Sequence, residues 1–128
     1  AASDVYKRQV NMGGAGYFNT VTYEYTSYTP TGTSVTPKFL FWADGAAQPQ
    51  TWETLDSLTA NHGVPKIVPT LLGPDENGMF VYSATFTLPK SYAGELGFSN
   101  MKVRLDLESK TSFVRPRVRG LKVVLTDQ

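Results

Sequence analysis

Hydrophobic and polar residues alternate with a period of two along much of this chain. The segment from Met101 to Glu108 sets four apolar side chains against four charged ones, and Val118 to Leu125 repeats the pattern. Such alternation is typical of a half-buried antiparallel strand with one apolar and one wet face. The same reasoning predicts further strands at residues 19–28, 38–43, 51–55, 67–72 and 79–88.

Some segments carry more detail. Residues 38–43 are apolar on both faces, which predicts a central strand covered on both sides. Pro69 interrupts residues 67–72 and favours an edge strand or a bulge there. The stretches 29–37, 56–66 and 89–100 are rich in turn-forming residues and are predicted as loops, the second of them with room for one helical turn.

The fold class follows from the number and spacing of these strands. Seven or eight strands in 128 residues must pair their apolar faces, which predicts an all-β fold: a single two-sheet antiparallel β-sandwich. A jelly-roll-like topology is preferred, with an immunoglobulin-like arrangement second. We expect residues 10–128 to form one domain.

Residues 1–9 are treated separately. The run from Ser3 to Gln9 looks like a translated sequencing adapter of the kind found at contig ends in metagenomic assemblies. We therefore expect a non-native leader, with the true sequence beginning near Val10 as the C-terminal piece of a longer polypeptide.

Charge and composition narrow the classes of partner. Twelve Lys and Arg against eleven Asp and Glu give a formal charge of +1, so no nucleic-acid partner is expected. No apolar run approaches the ~20 residues that span a bilayer, so no membrane partner is expected either. Cysteine is absent, which removes thiolate nucleophiles and thiolate metal sites. No cofactor and no enzymatic activity are predicted.

Candidate ligand-binding residues lie in or beside the predicted loops. Trp52, Tyr92 and Phe98 are aromatic side chains that are freer than the strand aromatics to stack on a sugar ring. His62 is the only histidine, and its loop offers no nearby serine or paired carboxylate to make it a general base, so a plain loop residue is the competing interpretation.

Two charged segments have a structural and a functional interpretation each. Arg115, Arg117 and Arg119 are spaced by two and could form an anion-binding strip, although Asp106 and Glu108 on a facing strand would neutralise part of it. The run from Gly73 to Gly78 contains three residues with side-chain oxygens but is bracketed as hairpin turns are, so a turn is favoured over a metal site.

A resemblance adds to this reading. From Met101, basic and aliphatic residues alternate, a Ser/Thr-rich loop leads to Pro116, and the last strand carries Gly120 before a hydrophobic run. This resembles a recurring ending of β-sandwich domains in bacteriophage tail, baseplate and fibre proteins. The segments Phe41–Asp44, Thr51–Leu55 and Tyr82–Pro89 look like the same arrangement. The pattern is shared with galactose-binding-like jelly rolls of secreted glycan-active enzymes.

The resemblance implies a function that composition alone does not. It implies a non-enzymatic virion structural domain, in a tail fibre, baseplate or head appendage, that packs with other virion subunits or in a homo-oligomer and contacts host glycans. The alternative is a carbohydrate-binding module of a secreted glycan-active protein. The expected location is the virion, or the extracellular space under the alternative.

Overall fold

The chain folds into two antiparallel sheets packed face to face, as the computed structural model shows. The structure describes the backbone of residues 2–11 and both backbone and side chains of residues 16–111 and 113–127. The elements in chain order are β1 (Ala2–Asn11), β2 (Thr20–Tyr28), β3 (Thr33–Trp42), α1 (Leu55–His62), β4 (Thr70–Leu72), β5 (Phe80–Thr87), α2 (Lys90–Ala93), β6 (Asn100–Ser109) and β7 (Arg117–Thr126). The predicted all-β sandwich is confirmed.

The described strands divide into a three-stranded and a four-stranded sheet. One sheet has the order β1-β6-β3 and the other the order β4-β5-β2-β7. The first strand pairs with the sixth in one sheet, and the second pairs with the fifth in the other, so the two pairings are nested in chain order. The last strand, β7, pairs with β2 and forms one edge of the four-stranded sheet.

The core lies between the sheets, and its strand residues come from alternating positions of β2, β3, β5, β6 and β7. On β2 the inward positions begin with Val21, Tyr23 and Tyr25, and all three side chains are buried. Phe39 of β3 and Phe86 of β5 contact Tyr23, and Phe41 of β3 packs against both phenylalanines. These ring centroids lie 5.5 to 6.5 Å apart, in stacked, tilted and edge-on pairs. The alternation that predicted the strands therefore also identifies the side chains that hold the two sheets together.

Two predictions about single strands are wrong. The strand β3 begins at Thr33 rather than at Lys38, and it lies at one edge of its sheet rather than in the centre. Leu40 on its outer face is nevertheless only 2% exposed. The doubly apolar pattern thus indicated the burial of both faces correctly but not the position of the strand within its sheet.

Three other predictions can be compared with the fold. Residues 51–55 do not form a strand: Glu53 makes one isolated bridge to Phe39, and α1 begins two residues later. The predicted loop that follows is mostly this eight-residue helix. The expected edge position of residues 67–72 is confirmed, since β4 lies at the edge of its sheet and begins just after Pro69.

The predicted non-native leader overlaps β1. Over ten register pairs from Ala2 opposite Ser109 to Asn11 opposite Asn100, this strand runs antiparallel to β6. The pairing concerns the backbone and leaves the origin of residues 1–9 a prediction. Neither of the two helices in the described part of the chain has the length and apolar character needed to span a lipid bilayer.

Candidate functional site

The helix α1 is fixed at both ends by its own sequence. Thr54 caps its first turn by accepting a hydrogen bond from the Ser57 N–H at 3.0 Å, while Ser57 Oγ accepts one from the Thr54 N–H at 2.7 Å. Gly63 ends the helix in the left-handed conformation, with φ of 73°. The reciprocal cap fixes the start of the helix, and the Gly63 cap fixes its end.

The capped helix brings His62 to Glu53. His62 Nε2 lies 3.1 Å from Glu53 Oε1, and the Ser57 hydroxyl donates to the same oxygen at 3.0 Å. The imidazole stacks on Tyr92, with 3.8 Å between ring centroids and an interplanar angle of 18°. Burial, with the neighbouring Glu53 carboxylate adding to it, raises the pKa of Tyr92 to about 12.

Phe98 joins this group from the other side of Tyr92. The two rings meet edge to face at 5.1 Å, and Phe98 stacks on the core residue Phe41 at 5.6 Å. Its backbone is bridged to Phe18, two residues before β2 begins. The structure therefore brings together three of the four predicted site residues, which form one aromatic cluster continuous with the core: His62, Tyr92 and Phe98.

Trp52, the fourth predicted residue, has a different neighbour. The Arg104 guanidinium lies 4.5 Å from the centre of its ring. Arg104 in turn pairs with Asp106 at 2.9 Å, and Lys38 reaches the same carboxylate at 2.7 Å. These three charged side chains are 15 to 28% exposed, on the outer face of the three-stranded sheet. One face of the Trp52 ring is thus covered by a cation from its own chain.

The arrangement around His62 does not activate a nucleophile. The Glu53 carboxylate lies between the imidazole and the Ser57 hydroxyl and bonds to both of them. A nucleophilic serine would instead have to donate its proton to the imidazole. Across the described residues, no group of three or more potential metal ligands occurs.

The predicted neutralisation of the arginine strip by Asp106 and Glu108 is wrong. β6 and β7 belong to different sheets, because the loop between them crosses from one layer to the other. On β7, Arg119 instead lies 3.4 Å from Asp75. The Asp75 carboxylate also accepts bonds from two N–H groups of its own turn, which hold its pKa below the usual range. The turn interpretation of residues 73–78 agrees with this geometry.

A separate recess lies at the opposite end of the sandwich, where β2 ends. It is an open cleft of about 230 Å³ between the sheets. We call it the hydroxyl cleft, because six of its seven lining residues carry a hydroxyl group: Tyr25, Ser27, Thr29, Thr33, Ser34 and Tyr82, with Val35 as the seventh.

The hydroxyl cleft contains an unusual buried group. Ser27 is 0% exposed, and its Oγ has no hydrogen-bond partner among residues 16–111 and 113–127. Next to it, Tyr25 and Tyr82 stack at 5.4 Å with an interplanar angle of 12°. Burial, with Tyr23 and Tyr82 adding to it, raises the pKa of Tyr25. Buried hydroxyl groups normally have partners, so the exception at Ser27 needs an explanation.

The sequence contains one signal of this cleft, which the strand pattern alone does not reveal. The inward positions of β2 run Val21, Tyr23, Tyr25 and then Ser27, so a polar residue replaces an apolar one at the last inward position. Only the pairing of β2 with β5 shows that Tyr82 lies opposite Tyr25. Because that partner is 57 positions away, no local pattern connects the two tyrosines.

Comparison with known proteins adds nothing to this geometry. No protein-family model, no curated protein and no solved structure matches the chain.

Proposed function

We propose that this chain is a non-enzymatic structural and recognition domain of a phage particle, from a tail fibre, baseplate or head appendage, that packs against a second copy of itself and contacts host surface glycans. Support comes first from the β-sandwich itself, which agrees with the resemblance in the sequence. Fold alone does not specify a function, and further support comes from two surfaces of the molecule.

The first surface is the β4 edge, which we define as residues 67–74. Leu71 and Leu72 are 50% and 61% exposed, and Val68 is 76% exposed. The strand pairs with β5 on one side only. Exposed apolar side chains at a sheet edge favour association, and proteins limit it with charges, prolines or very short edge strands. β4 has three residues and follows Pro69, so we expect contact through its apolar side chains rather than through backbone pairing. Residues 67–74 carry no charge.

The observation that carries the proposal is this uncharged apolar edge, because it suits a second copy of the same chain. Two like edges repel each other when they are charged, whereas two β4 edges would meet without repulsion. The hydroxyl cleft lies at an end of the sandwich formed by β2, β3 and β5, and it provides the polar surface that a glycan requires.

Light scattering with size-exclusion chromatography tests the assembly. We expect the chain to self-associate, and Leu72→Lys to shift it to monomer by placing a charge on the β4 edge. Leu96→Lys is the matched control, because Leu96 is 66% exposed and belongs to the loop between α2 and β6, outside residues 67–74. A chain that is monomeric at all concentrations, or equal effects of the two variants, would contradict the assembly.

A glycan array with product analysis tests recognition. We expect binding to host-surface glycans without release of shorter sugars. The alternative, a carbohydrate-binding module of a secreted protein, is favoured by the same hydroxyl cleft. A monomer that binds plant or storage polysaccharides would support the alternative over the particle domain. Turnover of any bound glycan would refute both.

A further inference from the structure

The hydroxyl cleft is uncharged, which restricts the chemistry of what it binds. Its seven lining residues are serine, threonine, tyrosine and valine. Recognition of phosphate or carboxylate generally relies on Arg, Lys or a helix N-terminus. The described lining contains no such group, so a charged ligand would lose its hydration without gaining a counter-charge.

The size of the cleft restricts the ligand further. Sites for drug-sized ligands usually measure about 300 to 1,000 Å³. The cleft measures about 230 Å³, which is below that range. It therefore fits one ring-sized molecule or the terminal unit of a longer chain.

The kinds of groups in the cleft match a sugar. A sugar presents hydroxyl groups around its rim and C–H bonds on its faces. Serine, threonine and tyrosine hydroxyls can both donate and accept, so they can pair with either end of a sugar hydroxyl. Tyr82 is only partly buried and Val35 lies nearby, so part of the wall is apolar.

Ser27 supplies the independent observation. Its buried Oγ has no partner among the described side chains and backbone groups, and the residue lines the cleft. A ligand hydroxyl that reaches Ser27 would satisfy a group whose burial otherwise costs free energy. The pairing would make binding depend on this one small side chain.

We propose that the hydroxyl cleft binds a neutral monosaccharide unit, as a terminal residue of a glycan, with Ser27 and Tyr82 as hydrogen-bonding residues. This inference rests on the proposed glycan contact and deepens it by naming the site and the ligand class. It also moves the site away from His62, Tyr92 and Trp52, because each of those rings already has one face covered by a neighbour.

The test is saturation-transfer NMR on the full chain with glucose, galactose, N-acetylglucosamine and glucuronic acid. We expect at least one neutral sugar to bind, and glucuronic acid, which adds a charge to the glucose frame, to bind at least tenfold more weakly than that sugar. Ser27→Ala and Tyr82→Phe should each lower the affinity by roughly two- to tenfold, the range for one lost hydrogen bond. Tyr92→Phe at the opposite end is the control and should have no effect.

Several results would overturn the inference. They are equal binding of glucose and glucuronic acid, no response to either cleft variant, a loss of affinity with Tyr92→Phe, or no transfer from any sugar, which would mean that the cleft holds water only. Binding on the glycan array that survives both cleft variants would refute this site while leaving the proposed function intact. An array without binding would refute both.

Discussion

Two buried serines should respond in opposite directions when their hydroxyl groups are removed. Ser27 and Ser99 are 0% and 1% exposed. Ser99 Oγ accepts hydrogen bonds from the Asp44 N–H at 2.7 Å and the Asn100 side-chain amide at 3.2 Å. Ser27 Oγ has no such partner in the described part of the chain. We predict that Ser99→Ala destabilises the fold and that Ser27→Ala stabilises it.

The magnitudes follow from the two environments. Ser99→Ala leaves the Asp44 N–H without its acceptor, which costs about 1 to 3 kcal/mol. Ser27→Ala removes a hydroxyl whose unpaired burial costs a similar amount, so its removal is stabilising. The cavity left by one oxygen, about 20 Å³ at about 24 cal/mol per Å³, destabilises the variant by only about 0.5 kcal/mol. The free energies of unfolding of the two variants should therefore differ by at least about 1.5 kcal/mol.

Urea unfolding of the wild type and both variants measures this difference. At a slope of about 1 to 3 kcal/mol per molar urea, the two midpoints should be separated by more than about 0.5 M with unchanged slopes. Equal losses of stability in the two variants would show that Ser27 is bonded as well as Ser99 is. That result would remove the main support for a binding role of the hydroxyl cleft.

Two further predictions concern a closely packed glycine and the titration of buried tyrosines. Gly97→Ala should lower the free energy of unfolding by about 2 to 5 kcal/mol, because its φ is +94° and a Cβ there would lie 2.9 Å from the Phe18 carbonyl carbon. Gly45→Ala, at φ +82° with open space around it, should cost only about 1 to 2 kcal/mol in the same unfolding assay. Equal costs would contradict the close contact. Burial raises the pKa of Tyr23 and of Tyr92 to about 12, above the ordinary value of 10.0, so their stabilising contribution is complete below pH 10 and is lost as the pH rises to about 12. The urea midpoint should fall across that window while phenolate absorbance rises, and a constant midpoint would refute the assignment.

The strands could be predicted from the sequence because their alternation is local. Residues 19–28, 79–88 and 101–108 each place one apolar row inward, and the structure has strands there. The helix α1, from Leu55 to His62, could not be predicted from periodicity because it has few apolar residues at helical spacing. Only Leu58 in it is buried. Its capping residues Thr54 and Ser57 were the available signal.

Long-range relationships could not be predicted in the same way. The assignment of β6 and β7 to different sheets depends on where the loop between them crosses, and neither strand's pattern encodes this. For the same reason the sequence placed Asp106 opposite the arginines of β7, whereas its partners are Lys38 and Arg104. Strand alternation identifies the face of a residue but not its partner strand.

The candidate site was predictable only in part. Loop position singled out His62, Tyr92 and Phe98 as candidates, but it could not show that these rings pack on one another. The hydroxyl cleft depends on Ser27, whose significance comes from burial without a partner. Burial of that kind is a property of the assembled layers and not of the local sequence.

Chemical-shift mapping of the labelled chain tests the central claim most directly. The claim is that glycan recognition occurs in the hydroxyl cleft between the two sheets. When the best-binding neutral sugar is added, we expect shifts confined to residues 25–35 and 80–83, at the end of the sandwich where β2 ends. Shifts centred on residues 52–62 and 90–98, or none at saturating sugar, would contradict it.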